Sequence, residues 1–213
     1  LAARGRRSRA AHDHGRRAQA LEELHAEVMA DRDTTLAAHA TQAVFGEGPL
    51  DPPLMLVGEQ PGDEEDLRGR PFVGPAGRLL DEMLEEAGVS RPAVYVTNAV
   101  KHFKFTPTGR RRLHQSPNAG DIAHYRPFLI REIAIVRPRL ILALGGTAAQ
   151  ALMNNPKLRV GVLRGQNLHM PEGATLRVTV HPSYLLRLPD AVSKARERGR
   201  FLEDLRAAAA MAA

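Results

Sequence analysis

Three short apolar runs end in side chains able to do chemistry. The first leads into Gly58-Glu59-Gln60-Pro61-Gly62-Asp63, the second closes on Thr97-Asn98, and the last closes on His181-Pro182-Ser183. Taken singly, each residue has an ordinary structural explanation: Glu59 as a helix-dipole partner, Asn98 in a turn, His181 as a satisfied surface histidine. A carboxylate, a carboxamide and an imidazole at three strand ends together form a set that can read a polar heterocycle and stabilise charge on it. Between Thr106 and Pro117 lies a polar insertion, Thr-Pro-Thr-Gly-Arg-Arg-Arg-Leu-His-Gln-Ser-Pro. Its Arg110-Arg111-Arg112 run reads as a solvated loop or as a patch that sits on phosphate. The same loop carries His114 towards the mouth of any pocket at the strand ends.

The elements that must position these residues follow from periodicity. Pro53–Gly58, Ala93–Asn98, Arg139–Gly145 and Thr175–Val180 are of strand length, rich in leucine or β-branched residues, and closed by turn-forming or polar residues. Helical spacing occupies residues 20–30 (Leu21, Leu24, Val28) and Pro75–Ala87 (Leu79, Leu80, Met83, Leu84, Ala87), the latter stopped by Gly88. Ile122, Leu129, Ile133 and Val136 mark a further helix, which Pro127 must start or kink. Thr147 is placed to cap a short helix over Ala148–Met153, and a C-terminal helix runs over Ala191–Ala210 with Ala195, Phe201, Leu202 and Leu205 inward. Strand and helix in alternation predict an α/β fold of three layers, α-β-α, around a four-stranded parallel sheet. In such a sheet ligands sit beyond the carboxyl ends of the strands.

Bulk composition narrows the class. The 213 residues suit a single domain over 21–213, preceded by a basic, flexible segment over 1–20. An apolar content of 43% and a charged content of 25% are those of a globular protein, and no run nears the roughly 20 apolar residues that span a bilayer, so no membrane role is expected. With no cysteine, disulfides, thiolate catalysis and cysteine-ligated metals are excluded, and a reducing cytoplasm is the expected location. Thirty basic against 24 acidic residues, a net charge of +6, suit a polyanionic partner.

These residues resemble the uracil-DNA glycosylase superfamily, and most closely its covalent-trapping UdgX branch, related to the family 4 iron–sulfur glycosylases. Gly58-Glu59-Gln60-Pro61-Gly62 resembles the first motif, with Gln60 where Ala is usual. Arg70-Pro71-Phe72-Val73-Gly74-Pro75-Ala76-Gly77 comes next, Thr97-Asn98-Ala99-Val100-Lys101 resembles the segment whose Asn reads uracil, and His181-Pro182-Ser183-Tyr184 resembles the last motif, with Tyr184 where Ser is common. The most specific match is Arg110-Arg111-Arg112-Leu113-His114, similar to the Lys-Arg-Arg-Ile-His loop that sets the trapping branch apart. The similarity runs over residues 40–206 and departs from the pattern at the iron–sulfur cluster. Asp31, Thr34 and Tyr125 occupy expected cysteine positions and His102 another position facing the cluster, so no cluster and no metal are expected.

The resemblance implies a definite chemistry. Phe72 stacks on a flipped uracil, Gln60 shapes the pocket, and the Asn98 carboxamide pairs with N3–H and O4, where cytosine presents the opposite donor–acceptor pattern. His181 stabilises charge on O2 as the C1′–N1 bond breaks. His114, oriented or deprotonated by Glu59, attacks the sugar in place of water. Arg110, Arg111, Arg112, Ser183 and Arg187 contact DNA, with Arg111 and Arg187 on phosphates. Two alternatives stay open: a turnover glycosylase with the same base pocket, and a non-catalytic module that binds uracil-containing DNA. The expected partners are uracil-containing DNA, preferentially single-stranded, and free uracil as product, for a monomer acting at the bacterial nucleoid.

Overall fold

The structure is a computed structural model that describes residues 2–213, with side chains from residue 10 onward. Its centre is a sheet of order β2-β1-β5-β7-β6. The four parallel strands are β1 (Leu54–Gly58), β2 (Val94–Asn98), β5 (Leu140–Leu144) and β7 (Thr175–Thr179), the four apolar runs of the sequence. A two-residue strand, β6 (Leu168–His169), adds an antiparallel edge that the sequence reading does not contain. A second sheet is a hairpin of β3 (Phe105–Thr108) and β4 (Arg111–His114), so the polar insertion expected as a loop is a ribbon with Gly109 at its turn. Strands this short and polar carry too little alternation to stand out from a loop.

Alternate residues of the parallel strands feed two cores, as a sheet covered on both faces requires. Leu54, Leu56, Val94, Val96, Leu140 and Leu142 face α4 (Pro75–Glu86), α8 (Pro182–Arg187) and α9 (Ala191–Ala212). Met55, Val57, Tyr95, Ile141, Ala143 and Val178 face α5 (Ala119–Val136), α6 (Gly146–Met153) and α7 (Val160–Leu163). Each fully buried aliphatic side chain contributes roughly 1.5–3 kcal/mol. The fold is therefore the expected three-layer α/β architecture. Pro127 lies inside α5, and Ala195 of α9 is exposed while Glu197, paired with Arg164, is buried on the inner side.

The N-terminal segment differs from expectation. Residues 2–20, expected as a basic, flexible segment, are helical and continuous with residues 21–30 in one helix, α1 (Ala2–Ala30), and Leu1 lies outside the described residues. The Ala- and Arg-rich composition favours helix. Leu24 and Val28 pack on Phe45 and Ala43, and Arg17 donates to the Ile135 carbonyl and pairs with Asp51. Two short helices, α2 (Thr35–His39) and α3 (Asp63–Arg68), complete the molecule; α3 directly succeeds the loop that carries Glu59.

Candidate active site

Chain order places β1 and β5 side by side, with β2 beyond one and β7 beyond the other, so the connections leaving their carboxyl ends diverge and open a crevice. A cleft of about 1020 Å³ lies there, lined among others by Glu59, Phe72, Asn98, His114, His181 and Tyr184. Asn98 pairs in register with Gly58, and a Cβ on Gly58 would stand 2.4 Å from Asn98 Oδ1 and 2.7 Å from the Phe72 ring. Only glycine lets these two groups meet over the strand end. Asn98 is 3% exposed. Beneath it, the fully buried Lys101 Nζ donates to the Asn98 carbonyl (2.8 Å), to Thr97 Oγ1 (2.7 Å) and to Glu132 Oε2 (2.6 Å).

Phe72 is buried with a left-handed backbone, φ 55, a conformation that costs a non-glycine residue about 1–2 kcal/mol. The backbone turns there because Gly77 of α4 lies against it: a Cβ on Gly77 would fall 2.0 Å from the Phe72 carbonyl oxygen. Buried Glu65 ties the surrounding loops together, accepting from Gly62 N–H (3.1 Å) and Gly74 N–H (2.8 Å). The Phe72 ring faces the His181 ring at 6.2 Å between centroids and 25° between planes.

His181 caps α8, accepting from the Ser183 backbone N–H at Nδ1 (3.1 Å). Nδ1 being an acceptor, the neutral ring carries its proton on Nε2. Although part of its surface opens to the cleft, the ring is packed closely by protein. Burial pushes its pKa down to about 4; the nearby Glu59 opposes this, and Arg187 and His114 reinforce it. His181 is thus a neutral donor at physiological pH. Ser183 Oγ sits 2.8 Å from His181 Nδ1 and accepts from Arg187 (3.1 Å), so both residues expected at DNA also support His181.

The hairpin carries His114 over the cleft with its side chain half exposed, and His114 Nε2 lies 3.0 Å from Glu59 Oε1. The other carboxylate oxygen, Oε2, accepts from Thr147 Oγ1 at 2.5 Å. Burial would raise the Glu59 carboxyl, but the bonds from His114 and Thr147 outweigh it and hold the group below the usual carboxylate range. Thr147 lies within α6 and caps nothing; Gly145 is the N-cap residue.

Two residues expected at the ligand also make bonds within the protein. Gln60, which lines the cleft as expected of a residue that shapes the pocket, also holds the hairpin. Its amide donates to the carbonyls of Lys104 (3.2 Å) and Gln115 (3.0 Å) and its oxygen accepts from Lys104 N–H (3.1 Å), clasping the ribbon on both sides of its neck. Arg112, expected among the DNA contacts, is tied to the protein: Nε bonds Asp63 (2.6 Å), Nη1 bonds buried Asp66 (2.5 Å), and the guanidinium lies over Phe103 and Phe105 at 5.4 and 5.1 Å. Arg110 and Arg111 are exposed at the hairpin tip, and Arg187 is exposed at the cleft rim. Glu65, Asp63, Asp66, Lys101, Glu132 and Thr147 were missed by the sequence reading. Thr147 and Asp63 left a usable signal, since each comes shortly after a parallel strand as Glu59 does.

The residues at the expected cluster positions do not fit an iron–sulfur group, which needs thiolates. They bond one another instead. Tyr125 Oη lies 2.6 Å from His102 Nδ1 and 3.0 Å from Thr34 Oγ1, and His124 Nε2 lies 2.7 Å from Asp31 Oδ2. Among the described residues, no group of three or more His, Cys, Asp or Glu is arranged to hold a metal ion.

Comparison with known proteins agrees with this geometry. The profile of the uracil DNA glycosylase superfamily matches residues 45–206, a span from Phe45 to the last turns of α9 that takes in the whole cleft. The chain is 41% identical over 152 residues to the type-4 uracil-DNA glycosylase of Thermotoga maritima, covering 71% of this chain and 76% of that protein. It is 38% identical over 191 residues to the type-4 enzyme of Pyrobaculum aerophilum, covering 87% and 91%. The chain belongs to the uracil DNA glycosylase superfamily.

Proposed function

We propose that this protein excises uracil from DNA and becomes joined through His114 to the deoxyribose left behind. Excision is supported by the family and by a cleft that presents Phe72, Asn98 and His181 to one ligand. The observation that carries the second half is the 3.0 Å contact between Glu59 and His114 at that cleft. A flipped uracil stacks on Phe72, and Asn98 meets N3–H with its carbonyl and O4 with its amide. As the C1′–N1 bond breaks, its electron pair passes to the uracil ring. His181 donates Nε2–H to O2, a preorganised donor at the point where charge develops.

The sugar is left electron-poor at C1′. The bare nitrogen of neutral His114 supplies an electron pair to form the N–C1′ bond, and the ring becomes cationic. Glu59 stabilises that cation and takes up or relays the ring proton. The N-alkyl imidazole is a poor leaving group, so the joined state persists. Arg110 and Arg111 at the hairpin tip and Arg187 at the rim are set to meet the DNA backbone, preferentially of a single strand, by a chain acting as a monomer. An aromatic platform, a half-exposed imidazole and open strand ends suit an extruded or unpaired base.

The test is a denaturing gel of the protein mixed with uracil-containing single-stranded DNA. A band that resists denaturation, lost in His114→Ser and mapping by mass to the His114 peptide, is expected. Free uracil without that band would leave a turnover glycosylase, the reading that the names of the type-4 relatives favour. Neither product would leave a binding module.

A further inference from the structure

The bond from Thr147 to Glu59 has no part in the scheme above. β5 ends at Leu144, Gly145 turns with φ 98, and Thr147 falls in the first turn of α6. A threonine inside a helix ordinarily bonds a backbone carbonyl or faces water. Thr147 instead aims its hydroxyl across the crevice between two parallel strands, at a carboxylate just past the end of β1. The two oxygens of that carboxylate are then divided: Oε2 accepts from Thr147 at 2.5 Å, and Oε1 stands 3.0 Å from His114 Nε2. Glutamate has a free terminal torsion, and one contact would leave the carboxylate turning between partners. Two contacts on opposite oxygens fix its plane, with the sheet on one side and the hairpin on the other.

We propose that Thr147 is a positioning residue for the covalent step, holding Glu59 so that one oxygen stays directed at His114. This inference rests on the trapping reading given above. Thr147 touches neither base nor sugar; it acts through Glu59. The charged and titratable groups that face Glu59 are His114 from the hairpin and His181 from the loop after β7. Removing the Thr147 donor leaves the carboxylate with burial opposed by these two alone.

The experiment compares Thr147→Val, which keeps the shape and loses the donor, with Thr147→Ser, which keeps the donor; Thr147→Ala serves as a second donor-free variant. Two readouts are taken on the whole protein. Carbon-13 NMR follows the Glu59 carboxyl in the free protein, its signal identified by its loss in Glu59→Gln. Single-turnover assays follow uracil release and the denaturation-resistant band on a uracil-containing oligonucleotide. In Thr147→Val and Thr147→Ala, Glu59 should titrate at higher pH than in the parent. Formation of the band per uracil released should fall about tenfold, the loss expected from one charge-assisted hydrogen bond. Thr147→Ser should restore both. An unmoved Glu59 titration, an unchanged band yield, or a serine variant that behaves like valine would each overturn the proposal. A parent protein that releases uracil without any band would sink the trapping reading instead, and the titration would still decide whether Thr147 holds Glu59.

Discussion

In the proposed scheme His181 donates to a base only while its Nδ1 accepts from Ser183 and its proton sits on Nε2. Its folded pKa is about 4 against an ordinary 6.5, so the neutral form persists far into acid. Single-turnover uracil release, measured where circular dichroism shows the protein folded, should therefore keep its acid limb nearer pH 4 than pH 6.5. A limb at pH 6.5 would mean that the ring is not packed as described. Asn98 acts at the same scale. The residue is buried, and a uracil edge facing Asn98→Ala would lose both hydrogen bonds in a nearly dry site. At about 1–3 kcal/mol for each of the two unpaired groups, about 2–6 kcal/mol together, excision should slow by roughly 30-fold to about 10,000-fold. An unchanged single-turnover rate would place the base elsewhere.

At the scale of elements, the hairpin and the strand that ends on Asn98 are each held by a polar device. Gln60 clasps the neck of the β3–β4 ribbon through three hydrogen bonds. Gln60→Ala should loosen the ribbon and lower the yield of the His114-linked product about tenfold or more. Uracil release should be affected less, because Asn98, Phe72 and His181 hang from other elements; equal losses in both would show that Gln60 reads the base after all. Under β2, Lys101 and Glu132 form a completely buried pair, with Tyr95 Oη donating to Glu132 at 2.8 Å. Lys101→Met leaves an unpaired buried carboxylate and should cost roughly 3–5 kcal/mol in urea unfolding. Adding Glu132→Leu should recover part of that loss, and full additivity of the two changes would disprove the coupling.

These devices also explain what was legible. Three of the four parallel strands stood out as short buried apolar runs and β7 as a short alternating one with Arg177 on its polar face, and the strand ends then gave Glu59, Asn98 and His181 directly. The hairpin did not stand out, since Arg111, Arg112 and Leu113 carry no two-residue alternation that a loop would lack. The internal bonds of Gln60 and Arg112 were not legible because residue type says nothing about which carbonyl or carboxylate lies across the fold. Their partners, Gln115 and Asp66, are 55 and 46 residues away. The N-terminal helix was hidden for the opposite reason: Arg17, in a segment whose basic composition suggested a flexible arm, is long enough to reach Asp51 and the Ile135 carbonyl.

For the molecule as a whole, α1, α2 and α5 meet around groups that stand where cluster ligands were expected, and hydrogen bonds join them. His102, with its ring on Tyr125, is buried and its pKa is lowered by that burial, against the opposing field of Asp31. Burial would raise Asp31, but His124 and the Asp33 backbone N–H outweigh it and hold the carboxyl below its ordinary value. A group whose folded pKa is depressed gives its full stability above its unfolded pKa and loses it as pH falls towards the folded one. For His102 the loss begins near the ordinary histidine value of 6.5, and His181 adds a second loss between 6.5 and about 4. Asp31 contributes only below its ordinary 3.8. Thermal unfolding followed from pH 8 to pH 4 should thus show a level melting temperature down to about pH 6.5 and a decline below it. In His102→Gln, which keeps a hydrogen-bonding side chain beside Tyr125 but cannot take up a proton in this range, the decline should be shallower, with the contribution of His181 left in place. A parent melting temperature that stays level to pH 4, or a His102→Gln profile parallel to the parent, would show that the cluster positions are not held by a neutral, buried histidine.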